Sequence, residues 1–280
     1  MTNQKTMELS ITWTIAQREL REALRNKWLW FYALGFGALA FGLAQAGMSS
    51  AGYAGLGGFG RTAASLINSL LLFVPLIGLT VGAGVIAGER ERGTLLYLLA
   101  QPVNRAEIFF GKALGAALAV LTALALGFGI AGLGLANDGG DPFAFLALVG
   151  YAVLLALASL AIGFVISALT RKAATASGAA LCVWLALVFI GDLGLIGATL
   201  AFRPAPSGML TLLLINPLQV FKLGAIFSLR ATLDTLGAAG QFAMYQFGDA
   251  LPFVLMALLF GWIVLGFALA FAFFARKGNV

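Results

Sequence analysis

The 280-residue chain has no histidine and a single cysteine, Cys182. Those absences exclude triads that rely on an imidazole base, zinc sites of the usual His/Cys kind and any intramolecular disulfide. Charge is scarce too: 10% of residues are Asp, Glu, Lys or Arg, against about 25% in a soluble globule. A phosphate-cradling loop is also missing. The only Gly-Lys pair, Gly111-Lys112, is followed by Ala113, and Ala106 stands where a glycine would be required, so the chain has no nucleotide site of that type. What fills the sequence instead is apolar, 61% of residues with a mean hydropathy of +0.99. So little polar surface remains that the expected solvent is lipid.

Uncharged runs locate the spans, because a helix needs about 20 apolar residues to cross the hydrocarbon core. The longest, between Lys27 and Arg61, has 33 residues; the shortest, between Lys112 and Asp138, has 25. The run from Lys172 to Arg203 is broken only by Asp192. Six transmembrane helices are expected, at 28–47, 65–88, 113–135, 143–169, 176–200 and 251–274, forming one all-α polytopic domain over 1–280. No internal repeat of the first three spans in the last three is visible, so an inverted-repeat carrier is not supported.

With six spans both termini share a side. Thirteen of the 17 basic residues fall there, from Lys5 and Arg18 through Arg90, Arg92, Arg105 and Lys112 to Arg276 and Lys277. The opposite side keeps Arg61, Arg203, Lys222 and Arg230. The positive-inside rule then puts both termini in the cytosol. The net charge of +6 and pI near 9.8 are thereby assigned to topology, and nucleic-acid binding is not expected. Ala44-Gln45-Ala46 has the look of a cleavage site, but a 27-residue leading region carrying Glu8, Glu19 and Glu22 is wrong for a secretory signal.

Residues 7–27 alternate at helical spacing. Leu9, Trp13, Ala16, Leu20 and Leu24 form one stripe; Arg18, Arg21, Glu22 and Arg25 lie on another. An amphipathic helix in the headgroup layer is expected, with Arg18, Arg21 and Arg25 reaching lipid phosphates and Trp28 at the aromatic belt. It serves either as a topological anchor or as an elbow that moves with the first span. Between spans two and three, residues 89–112 open on four alternating charges, Glu89-Arg90-Glu91-Arg92. A short apolar helix at 94–101, a break at Pro102 and a second helix start follow, where Asn104 and Glu107 have capping-box spacing. The apolar helix is too short to span and too hydrophobic to float free. It is either an interfacial re-entry helix or a knob that a soluble motor protein can grip. The four charges are either solvated helix-end charges or partners for that motor.

The stretch Glu89-x-Glu91-x-Gly93-Thr94-Leu95-x-x-Leu98-Leu99-x-x-Pro102-Val103-x-Arg105-x-Glu107-Ile108-x-x-Gly111-Lys112 resembles the coupling region of ABC-2-type permeases, the six-span membrane subunits of ABC transporters. Arg18 to Arg25 resemble that family's elbow, and the likeness covers essentially the whole chain. The resemblance implies that Glu89, Glu91, Gly93, Thr94, Leu95, Leu98, Leu99, Pro102, Val103, Asn104, Arg105 and Glu107 form the coupling region for an ATPase. It also implies a homodimer bound to two copies of an ABC ATPase, with spans one, two and five near the dimer axis and with ATP and Mg held by the partner. Within the family the chain is most similar to the permeases of transporters that mature nitrous oxide reductase, on overall similarity that includes Asn216-Pro217-Leu218-Gln219-Val220-Phe221-Lys222. That branch implies a periplasmic accessory protein and a copper-site role.

No catalytic residue, bound cofactor or metal site is expected in this chain. Asp192 is the one charge inside a span; it has either a structural role near the outer boundary or a role in a pathway. Cys182, Met48, Met209 and Met244 read as packing residues. Residues 201–250 are expected as an outer loop with amphipathic helices at 217–231 and 232–246, Leu218, Phe221, Ala225 and Leu229 sharing one face. Phe221, Lys222 and Arg230 are candidate contacts for the outer partner. Two other functions share many of these features: a gradient-driven carrier, which would need paired intramembrane charges, and a membrane scaffold or force relay that moves no solute.

Overall fold

The structure, a computed structural model, describes residues 8–51, 57–100, 103–136, 142–202, 205–228 and 237–277. Eleven α-helices form the described regular structure: α1 (Leu9–Leu24), α2 (Lys27–Ala51), α3 (Gly57–Glu91), α4 (Thr94–Leu99), α5 (Arg105–Ala136), α6 (Pro142–Leu169), α7 (Ala173–Phe202), α8 (Pro206–Ile215), α9 (Pro217–Ser228), α10 (Gly237–Phe247) and α11 (Leu251–Lys277). A 3₁₀ turn at Gly248–Ala250 joins the last two. The stretches expected as spans fall inside α2, α3, α5, α6, α7 and α11.

Among the described residues five helices are long and apolar enough to cross a membrane: Leu66–Glu91, Arg105–Gly132, Pro142–Leu169, Ala173–Phe202 and Gly240–Arg276. In α2 the described apolar stretch is the shorter Leu29–Leu39. A sixth span arises if α8 and α9 count as one, bent by 110° between Ile215 and Pro217. The helix expected at 217–231 corresponds to α9, which leaves this bend, and the one expected at 232–246 overlaps α10. Pro217 cannot donate a backbone hydrogen bond to continue α8, and its ring disfavours helical geometry at Asn216. Asn216 accordingly adopts extended backbone, and its Oδ1 accepts the Leu218 N–H at 2.9 Å to start α9.

α6 is the central post, packed against α3 on one side and α11 on another. Its contact with α3 depends on absent side chains: a Cβ at Gly78 or Gly82 would lie 2.5 Å from the Ala156 or Leu160 carbonyl oxygen, and one at Gly163 would lie 2.6 Å from that of Leu79. The Gly78/Gly82 pair is thus a true close-approach motif. Gly84, which matches the same spacing with Gly88, has open space around its missing side chain. An aromatic knot closes the α5, α6 and α11 corner, with the Phe109 ring 5.7 Å from Phe164, 5.3 Å from Phe271 and 5.8 Å from Phe274. α9 lies inside the bundle. Nine of its twelve residues are buried, Phe221 among them, and Gly224 admits the ring of Tyr151, whose hydroxyl donates to the Pro252 carbonyl at 3.0 Å.

Candidate functional site

α3 ends where Gly93, at φ 74°, turns the chain through a conformation that L side chains rarely adopt. Six residues of α4 follow. Leu95 is buried and Leu98 packs against the core, whereas Leu96 and Tyr97 are 66% and 78% exposed. The knob therefore has a foot and a head. Leu95 and Leu98, expected as contacts for a motor protein, form the foot, and the head is made by Leu96 and Tyr97. Helical spacing carries that signal, since 95 and 98 share a face. In an all-apolar segment, however, periodicity cannot say which face is covered.

Each of the four alternating charges has a partner within the chain. Glu89 is 3% exposed, and its Oε1 lies 2.8 Å from the Lys112 ammonium and 3.8 Å from Arg18. Arg90 donates to the backbone carbonyls of Ala168 and Thr170, closing the end of α6. Glu91 Oε2 accepts the Ala173 N–H at 2.8 Å, capping α7. Arg92 pairs with Glu22 of α1 at 3.2 Å. Glu89 is thus an internal joint rather than a surface contact, because burying an unpaired carboxylate costs far more than an internal cation partner does. Glu91 is exposed but is engaged as a cap.

Lys112, which in sequence marks the edge of a span and counts among the cytosolic basic residues, is the centre of this joint. It is 2% exposed, and its one ammonium serves Glu89 of α3 and, at 2.7 Å, Glu19 of α1. Burial pushes the Glu19 carboxyl above its usual 4.5, with Lys112 opposing the shift. Glu107 completes the arrangement. Its Oε2 accepts the Asn104 N–H at 2.9 Å, the expected capping box, and its Oε1 accepts the Glu8 N–H at 2.8 Å, capping α1 as well. Arg105 donates to the Ala275 carbonyl at 2.9 Å, bringing the last turns of α11 to the same end. Val103 packs against the core, Thr94 donates to the Glu89 carbonyl at 3.3 Å, Leu99 is in the last turn of α4 and Pro102 lies outside the described residues.

The elbow helix packs differently from its expected stripe. Thr12 and Ala16 are buried and Ile15, Leu20, Ala23 and Leu24 pack against the core, while Leu9 and Trp13 are exposed. The reason lies in α5: Gly111 and Gly115 leave a groove in which Ile15 and the Ala16 carbonyl sit. Trp30 donates to the Leu24 carbonyl at 2.6 Å, fixing the turn into α2; the Trp28 side chain lies outside the described residues. Arg18, Arg21 and Arg25 line a surface hollow of about 580 Å³ with Thr14, Gln17 and Glu22. A cavity of about 160 Å³ lies beside the joint, lined in part by Glu19, Glu22, Glu89 and Arg92. A second of about 310 Å³ shares Asn26, Thr80 and Val81 with it and adds Tyr32, Ser177 and Leu181, between α2, α3 and α7.

In the second half of α7, Asp192 Oδ1 accepts from Lys222 at 2.9 Å and from Gln219 at 3.0 Å, and Asn216 donates to the Leu187 carbonyl at 2.7 Å. The Asn216 to Lys222 motif is therefore a fastening between α9 and α7. Phe221, expected to meet an outer partner, is buried within the chain, and Lys222 is engaged by Asp192; Arg230 lies outside the described residues. Cys182 is exposed on α7, Met209 and Met244 are half-buried, and the Met48 side chain lies outside the description.

Residues 13–278 match the family described as ABC-2 family transporter protein. The chain is similar to a probable ABC transporter permease protein NosY of Stutzerimonas stutzeri, 33% identical over 276 residues covering 95% of this chain and 98% of that one. It is also similar to the protein of the same description from Pseudomonas aeruginosa, 31% identical over 280 residues covering 96% and 99%.

Proposed function

The chain belongs to the ABC-2 family of transporter permeases, and from that premise we propose that it couples ATP hydrolysis by a separate ABC ATPase to work across the bacterial inner membrane. Two copies of the chain pair about α2, α3 and α7 and bind two ATPase subunits, which hold ATP and Mg. Both termini and α4 face the cytosol, and Arg18, Arg21 and Arg25 contact lipid headgroups. The likeness to NosY permeases extends the proposal to copper-site maturation of nitrous oxide reductase, with a periplasmic accessory protein at the α8–α10 end. The observation that carries the reading is the exposed pair Leu96 and Tyr97 on a helix of six residues, set on a base of buried ion pairs. An exposed apolar pair on a rigid pedestal suits docking, because little conformational freedom is lost on binding.

Co-purification from mild detergent tests this. Replacing Leu96 and Tyr97 together with Ala is expected to weaken association with the ATPase by roughly 30-fold or more, in the range of interface hot spots, with the melting temperature unchanged. Undiminished association would overturn the docking role of α4.

A further inference from the structure

α7 differs from the other apolar helices in how little of it is covered. Only 11% of its apolar stretch is buried against the rest of the chain, compared with 61% for α6. Its seam with α3 sets Ala176 and Ala180 against Leu79, Ala83 and Ala87, with Val183 and Trp184 of α7 packed beside them. Beyond that seam, polar groups fasten the helix at its start and about two-thirds of the way along.

At its start, the Glu91 carboxylate caps the Ala173 N–H, and Arg90 of the same turn holds the Ala168 and Thr170 carbonyls just before it. Nineteen residues on, about 28 Å along a helix at 1.5 Å per residue, Asp192 takes Lys222 and Gln219. One turn earlier the Leu187 carbonyl takes Asn216. Gly191 lets these amides come close, since any side chain there would meet Gln219 and Asn216. The start of α7 is thus tied to the turn that carries α4, and its second half to the corner between α8 and α9.

We propose that α7 is the strut through which the α3–α4 turn acts on the α8–α9 corner, with Asp192 and Lys222 as the pair that positions the far joint. The Asp192 and Lys222 side chains are 50% and 26% exposed, so the pair lies at the surface of the chain and is not locked in by core packing. The strut requires no solute to move through the chain. It rests on the reading above only for what drives it, namely ATP-dependent displacement of α4.

Two measurements test the strut. In the chain alone in detergent, amide hydrogen exchange over 205–222 reads the far joint. Glu91→Gln is expected to speed exchange there roughly 5-fold, the low end of coupling between linked sites, while Glu22→Gln leaves it unchanged. Unchanged exchange in Glu91→Gln would overturn the strut whether or not an ATPase binds. In the dimeric chain with its ATPase in lipid nanodiscs, a spin label at Thr211→Cys in a Cys182→Ser background reports the distance between copies with and without trapped nucleotide. Asp192→Ala is expected to reduce the nucleotide-shifted fraction roughly 5-fold without altering the KM for ATP. Asp192→Lys combined with Lys222→Asp is expected to restore it. A wild-type-sized shift in Asp192→Ala, or no restoration in the swapped pair, would overturn the role of the pair. Absence of any nucleotide-dependent shift in the wild-type chain would instead count against the ATP-driven reading, leaving the exchange result to decide the strut.

Discussion

The molecule carries two polar clusters, one around Lys112 that joins α1, α3 and α5 and one around Asp192 that joins α7 and α9, and they are built on opposite terms. Around Lys112, one ammonium at 2% exposure bridges Glu19 and Glu89 from two other helices. Around Asp192, one carboxylate at 50% exposure collects Lys222 and Gln219 from a single helix. Burial makes the difference. The chain's own packing encloses the first cluster and leaves the second open at its surface, so the first behaves as a weld and the second as a latch.

The largest effect is expected from Lys112→Met. It strands two buried carboxylates and should destabilise the fold by about 3–5 kcal/mol, read as a fall in melting temperature in detergent. A loss under 1 kcal/mol would mean that the cluster is wetter than the structure shows. Next comes a pair of glycine substitutions. Gly115→Ala forces a Cβ onto the Ala16 backbone carbonyl and should cost about 1–3 kcal/mol, undocking α1, as seen in faster exchange over 9–24. Gly191→Ala meets only the movable amides of Gln219 and Asn216 and should cost less. If the two are equal, the latch is as rigid as the weld. Asp192→Asn should shift stability by about 0–1 kcal/mol, the range of exposed pairs.

The smallest effect concerns pH. The Glu19 carboxyl is raised above 4.5 chiefly by burial, so the folded state holds that proton more tightly than the unfolded chain does. Its contribution is complete below 4.5 and is lost as pH rises through the higher folded value. A Glu19→Gln chain should therefore show a flatter stability profile above pH 4.5; an unchanged slope would remove Glu19 as its source.

Much of this was legible in the sequence because it is local or compositional. Charge-free runs announce apolar helices without any knowledge of packing, and Asn104 and Glu107 announce a cap because both partners lie within one turn. The weld was not legible: Glu19, Glu89 and Lys112 are widely separated in sequence, and each looked like an ordinary charge beside a span. The same holds for Asp192 and Lys222, 30 positions apart. The glycine motifs show the limit most plainly. Gly78/Gly82 and Gly84/Gly88 have identical spacing, yet only the first pair faces a backbone, and which face is covered depends on a helix some 80 residues away. The α8–α9 bend was not legible because Lys222 reads as a contact for an outer partner, when its charge is answered by Asp192 of α7.

Glu107 accepts the N–H of Glu8, 99 residues earlier. At bacterial synthesis speeds of about 5–20 residues per second, the leading helix waits roughly 5–20 s after it is made for its cap to emerge. Lys112 and the groove of Gly111 and Gly115 arrive in the same moment. Until then the first helix lacks α5, the element it packs against most, and the lipid surface shelters it instead; a ribosome stalled ahead of residue 107 would leave it there.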